Sequence, residues 1–127
     1  GNREPPVLSC ESLRLAQAEL LRSFLELRVS LHPWERMIVL GDLNEFEFRA
    51  PVETLGAEPL VYLVERLPQA VRWSYVYQGN SQVLDNIIVS PALADGAEIE
   101  VVHFNSAEPA TERASDHDPV IARLRVR

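Results

Sequence analysis

Asp42, Asp85, Asp95, Asp116 and Asp118 are the only aspartates in the chain, and four of the five fall where an apolar run ends or meets a turn. The more numerous glutamates lie mostly in helical or loop segments, where they read as solvated surface charge. In Gly41-Asp42-Leu43-Asn44 an apolar run stops, and strand alternation sends Asp42 and Asn44 to one face with Leu43 on the other. Gly41 lets a ligand approach the backbone closely, and the C-terminal end of a strand in a helix-covered sheet is a common ligand position. A carboxylate and a carboxamide then stand side by side, where a substrate or metal can come close. An Asx turn that simply ends the strand accounts for the same residues.

Ser115-Asp116-His117-Asp118-Pro119 places a hard oxygen ligand next to an imidazole that titrates near neutrality. Together these could bind a metal and activate water, although Asp118 before Pro119 also initiates an ordinary turn. Asp85 lies within Gln82-Val83-Leu84-Asp85-Asn86-Ile87-Ile88, and an acid in so apolar a run is costly unless paired. Its partner should be an arginine in a structural ion pair or an imidazole that it holds in one tautomer. His103 and Asn105 alternate across Phe104 and so share one strand face, where they line a cleft or flank a sheet edge, with a site-adjacent structural role the favoured reading. Trp73, Tyr75 and Tyr77 share a face and read as core, with base stacking the alternative. His32, beside Pro33, fits a helix C-terminal cap.

The elements that must position these groups follow from periodicity. Leu13, Ala16, Leu20, Phe24 and Leu27 recur at helical spacing over 11–31, which predicts an amphipathic helix with those residues on its apolar stripe. Met37-Ile38-Val39-Leu40 predicts a strand buried on both faces. Arg49-Ala50-Pro51 opens a second short helix, and 60–67 predicts a surface helix or turn stopped by Pro68. Residues 71–77 and 83–89 should form a hairpin about Gly79-Asn80, with further strands over 98–104 and through Ala122, Leu124 and Val126, whose alternating Arg123, Arg125 and Arg127 form a basic outer face. The class is α+β, with no internal repeat, low-complexity tract or linker.

The 127 residues are 46% hydrophobic and 24% charged, within the range of one ordinary globular unit or part of a larger one. No apolar run is long enough to span a membrane. Gly1-Asn2-Arg3-Glu4-Pro5-Pro6 carries neither an initiator Met nor an export signal, so the segment reads as an excised piece. A net charge of -7 is the wrong sign for holding nucleic acid on a broad electrostatic surface, so cations or another segment must help if the substrate is a phosphodiester. All twelve basic residues are arginine, which suits bidentate anion contacts, though genomic base composition explains the bias better. With Cys10 alone, neither an internal disulfide nor a cysteine zinc site can form.

Gly41-Asp42-Leu43-Asn44, Leu84-Asp85-Asn86-Ile87-Ile88-Val89-Ser90 and Ser115-Asp116-His117-Asp118-Pro119, in that order, resemble the endonuclease/exonuclease/phosphatase superfamily, the deoxyribonuclease I-like group. The run from Tyr75-Val76-Tyr77-Gln78-Gly79 through Val102-His103-Phe104-Asn105 looks closest to its bacterial extracellular nucleases. The resemblance implies that residues 1–127 are the C-terminal half of a four-layer α/β sandwich, with one mainly antiparallel or mixed sheet flanked by helices. It implies a metal-dependent phosphodiesterase acting on DNA or RNA, with Mg²⁺, or else Mn²⁺ or Ca²⁺, as cofactor. Asp42 would orient the attacking water or join the metal site, Asn44 would bond the phosphoryl oxygen, Asp116 would ligate the metal, and His117 would act on water or phosphate with Asp85 behind it.

The metal-binding Glu of that superfamily lies in the N-terminal half of the domain, and nothing in the first thirty residues matches it. The fragment alone is therefore expected to be inactive. The parent is expected to be secreted or periplasmic and to use no membrane. The uncovered sheet face should receive the missing half or, in the isolated piece, a second copy in a homodimer. A lipid or inositol phosphate substrate, or a non-catalytic binding or assembly segment, are the competing functions. Asn86 departs from relatives of the extracellular type, which often carry His there.

Overall fold

In the computed structural model, which describes residues 10–126, the chain is α+β, with three separate small antiparallel sheets rather than one. Helix α1 (Glu11–Leu31) leads into β1 (Ile38–Asp42). Then follow α2 (Ala50–Gly56), β2 (Val61–Tyr62), two 3₁₀ turns, β3 (Tyr75–Tyr77), β4 (Asn80–Gln82), β5 (Asp85–Val89), α3 (Pro91–Ala94), β6 (Glu98–Val101) and β7 (Val120–Arg123). The sheets have the orders β1-β5-β2, β3-β4 and β6-β7. The basic outer face at the C-terminus is confined to Arg123 and Arg125 among the described residues, because Arg127 lies outside them. The N-terminal residues Gly1 to Pro6 also lie outside.

The helix over 11–31 forms where its periodicity places it, but it buries a different face. Ala18 and Leu25 are buried, with Leu21 and Val29 packed beside them, while Leu13, Leu20, Phe24 and Leu27 are all more than half exposed. Two apolar stripes run along this helix, and the narrower one, with alanine at its centre, allows the close approach to α2. Arg22 fixes that approach by donating to the carbonyls of Thr54 and Ala57 at 2.8 and 2.6 Å, and to that of Glu58. Pro51 sits in the first turn of α2, where its missing N–H costs nothing. The backbone N–H of His32 closes α1 on the Arg28 carbonyl at 2.8 Å.

The main sheet corrects the expectation of a strand buried on both faces. β1 pairs antiparallel with β5, Ile38 opposite Val89, Leu40 opposite Ile87 and Asp42 opposite Asp85. Val39 and Ile88 face the helices, whereas Ile38 and Leu40 are exposed. An all-apolar run of four reports hydrophobicity on both faces without saying that both are covered. Ile88, packed with Val52, Leu55, Leu60 and Tyr62, is at the centre of the larger core. The segment 60–67 is core rather than surface: Leu60, Tyr62, Leu63 and Val64 are buried, in β2 and a 3₁₀ turn too short for a helical period to show.

The hairpin turns at Gln78 and Gly79, both at positive φ (49° and 82°), one residue before the expected position. Its return strand is only Asn80–Gln82, and the chain then switches sheets, so the apolar run 85–89 pairs with β1 and β2 instead. β6 stops at Val101, and β7 stops at Arg123 with Val126 exposed.

Candidate active site

Because β1 and β5 are antiparallel and in register, residues directly opposite share a face. Ile38, Leu40 and Asp42 therefore stand on the same side as Val89, Ile87 and Asp85. Two carboxylates at the end of this ladder repel each other unless a cation joins them. His117 lies at that position. Its Nδ1 is 2.6 Å from Asp85 Oδ2. An ionised carboxylate only accepts, so Nδ1 carries the proton and Nε2 is left as the reactive nitrogen.

Burial of the His117 ring pulls its pKa down, but the hydrogen bond and charge of Asp85 and the charges of Asp42 and Asp116 outweigh that and raise it overall. Two carboxylates from separate segments thus act on the imidazole besides its direct partner. Tyr75 stacks on the His117 ring with centroids 4.7 Å apart. A bridge between Tyr75 and His117 holds the two backbones together.

Asp85 is fixed in turn by Ser74, a fully buried residue whose hydroxyl donates to Asp85 Oδ2 at 2.6 Å. The Asp85 N–H returns a bond to Ser74 Oγ at 3.3 Å. The Ser74 carbonyl accepts the Asp118 N–H at 2.7 Å, which links this support to the 115–119 segment. A small hydroxyl next to an aromatic run gives no warning of this role in the sequence.

Asp118 is an organising residue rather than a turn residue alone. Its buried carboxylate accepts N–H groups from Phe104 at 3.2 Å, Asn105 at 2.8 Å and Ser106 at 2.9 Å, the Ser106 hydroxyl, and His103 Nδ1 at 3.1 Å. Burial opposes its ionisation, but the bonds from Ser106, His103 and Asn105 prevail and hold its pKa at about 2. His103 and Asn105 are therefore in a loop gathered around Asp118, not on a strand face. Asn105 Nδ2 donates to the His117 carbonyl at 2.9 Å, and His103 stacks on Trp73 at 3.9 Å. Of the aromatic trio only Tyr75 and Tyr77 share a strand, and Tyr77 is exposed.

Asn44 also departs from its expected place. β1 ends at Asp42, whose Oδ1 accepts the Asn44 N–H at 2.7 Å in an Asx turn, and Asn44 itself is left-handed at φ 49°. The next residue, Glu45, is one that surface-charge reasoning misplaces: it is fully buried and pairs with Arg14 of α1 at 3.1 Å. That ion pair anchors the Asp42–Asn44 turn to the first helix. Asn86 is buried and receives the Tyr62 hydroxyl on its Oδ1.

An open cavity of about 620 Å³ runs along this ladder face, with Asp85, Asn105 and His117 toward one part and Ile38, Leu40 and Ile87 among its apolar walls. The charges of Asp42 and Asp116 reach His117, but among the described residues no three acidic, His or Cys side chains form a metal ligand set by themselves. No helix among them is long and apolar enough to cross a membrane. Neither family models, nor curated proteins, nor solved structures contain a match to this chain.

Proposed function

We propose that the chain is the C-terminal half of a metal-dependent phosphodiesterase domain, a nuclease of the deoxyribonuclease I-like kind, with His117 and Asp85 at its reactive centre. The observation that supports this most is the 2.6 Å contact between His117 Nδ1 and Asp85, with Ser74 behind it and two further carboxylates around it. A structural ion pair needs neither the buried hydroxyl on the far side nor a histidine that lines an open cavity.

On this reading Asp85 holds the proton on Nδ1 and stabilises the imidazolium, and His117 Nε2 exchanges a proton with water or a phosphate oxygen. Asp42 orients the attacking water, and Asn44 meets the phosphoryl oxygen as charge develops. Asp116, with Asp42, would hold Mg²⁺, with Mn²⁺ or Ca²⁺ as substitutes; when bound, the metal would offset charge on the phosphate. Waters and the substrate phosphate would complete the shell, as is usual for Mg²⁺, with the glutamate that the resemblance implies as a further ligand from another segment. The exposed apolar wall at Ile38 and Leu40 is where the N-terminal half of the domain would pack, bringing that ligand. The parent would be secreted or periplasmic and would contact nucleic acid mainly through surfaces outside this acidic segment.

The test is plasmid nicking by the protein from the complete reading frame, with Mg²⁺, Mn²⁺ or EDTA, beside Asp116→Ala and His117→Ala. Metal-dependent nicking lost in both variants is expected. Nicking that survives both substitutions would defeat the site assignment. Activity on a lipid or inositol phosphodiester alone would move the substrate, and inactivity on all of them would leave a binding or assembly segment.

A further inference from the structure

Helix α1 carries an apolar stripe on the side turned away from the core. Leu13, Leu20, Phe24, Leu27 and Leu31 are each more than half exposed, and with Gln17 they complete the alternating four-and-three spacing of a coiled-coil seam. At 100° per residue this stripe is nearly opposite the face of Ala18, Leu25 and Val29 that meets the protein interior. Single exposed leucines are ordinary, but five in register over a 21-residue helix form a contiguous patch.

We infer that this stripe is a self-association surface, on which α1 of a second copy packs antiparallel across a two-fold axis near Arg22. The positions 13, 17, 20, 24, 27 and 31 are symmetric about that point. Leu13 then meets Leu31 of the other copy, Gln17 meets Leu27, and Leu20 meets Phe24. Between the helices on one flank, Ala16 faces Ser30 and Ser23 faces its own counterpart, all small and uncharged, so the net charge of -7 places no like charges there. On the other flank Arg14 and Arg28 are already paired with Glu45 and Glu35.

Size is consistent with such a pair. Five side chains exposing on the order of 100 Å² each remove roughly 1,000 Å² from water across two copies, the lower bound for a specific interface. A lipid surface is the wrong partner, because the polar strip of the helix carries Ser12, Glu19, Ser23, Glu26 and Ser30 and no base that would attract anionic headgroups. The pairing is independent of the phosphodiesterase chemistry, and it uses a different surface from the cavity wall at Ile38 and Leu40.

Sedimentation velocity on the chain from about 5 to 200 μM, with Leu20→Glu, Phe24→Ser and Leu40→Glu alongside, tests this. A dimer is expected, weakened at least about a hundredfold by Leu20→Glu or Phe24→Ser and changed less than about threefold by Leu40→Glu. Leu20 and Phe24 are exposed, and unchanged circular dichroism should show that both variants remain folded. A monomer throughout, a dimer indifferent to both helix substitutions, or one abolished only by Leu40→Glu would overturn the inference. Flotation of the chain with vesicles of phosphatidylcholine and phosphatidylglycerol would overturn it as well.

Discussion

His117 and Asp85 are 32 residues apart in sequence and 2.6 Å apart in space, and the contact joins the segment before the last strand to the first residue of the central one. Burial of the ring disfavours the charged imidazole, but Asp85, Asp42 and Asp116 together outweigh it. The measurable consequence is a His117 pKa above the ordinary value near 6.5. Titration by ¹H–¹⁵N NMR should show that elevation, and Asp85→Asn should lower the pKa, because the amide offers no charge. A His117 titrating at or below 6.5 in the unsubstituted chain would remove the argument.

The same shift makes a statement about stability. A group whose pKa is raised on folding stabilises the fold fully below its unfolded value and loses that contribution as pH rises through its folded value. Urea unfolding at intervals between pH 5 and 9 should therefore show stability falling as His117 loses its proton, and His117→Gln should flatten that part of the profile.

Asp118 acts with the opposite sign. Its pKa is held at about 2 against an ordinary 3.8, so its contribution is present above the ordinary value and is lost as pH falls through about 2. The shift corresponds to roughly 2 kcal/mol. Asp118→Asn should remove an amount of that order at pH 7, since the amide nitrogen then faces the Ser106 hydroxyl and His103, and should flatten the acid limb of the unfolding profile.

How much of this could be read from sequence differs residue by residue. Asp85 announced itself, because an acid beside Ile87 and Ile88 must find a partner. Ser74 and Glu45 did not, since nothing local distinguishes a buried serine from a surface one, and the partner of Glu45 is 31 residues away. The helix was legible but its buried side was not. Two stripes satisfy the same period, and the one with larger side chains, Leu20 and Phe24, is the exposed one. Strand pairing was also beyond reach: the run 85–89 follows β4 almost directly, yet the break at Val83 and Leu84 sends it to β1.

Glu45 makes a prediction of its own. Its fully buried carboxylate accepts from the Arg14 guanidinium and the Phe46 N–H, and losing hydrogen bonds to a charged group costs about 1.5–3 kcal/mol. Glu45→Ala should lower stability by that order in denaturant unfolding and loosen the Asp42–Asn44 turn, seen as faster amide exchange at Asn44. Equal protection of Asn44 in both proteins would show that the Arg14 pair does not hold the turn.

The two faces of the main sheet give the last contrast. Ile88 is 1% exposed at the centre of the core and Leu40, on the neighbouring strand, is 67% exposed. Ile88→Ala should cost on the order of 3 kcal/mol, as large-to-small core changes do. Leu40→Glu in the isolated chain should change stability by less than about 0.5 kcal/mol, as surface substitutions do. In the protein from the complete reading frame the same Leu40→Glu should cost several times more, because the proposed N-terminal half would cover that wall and bury the charge. Denaturant unfolding of both proteins separates the cases. An equally small effect in both would count against the proposal that an N-terminal half covers this wall.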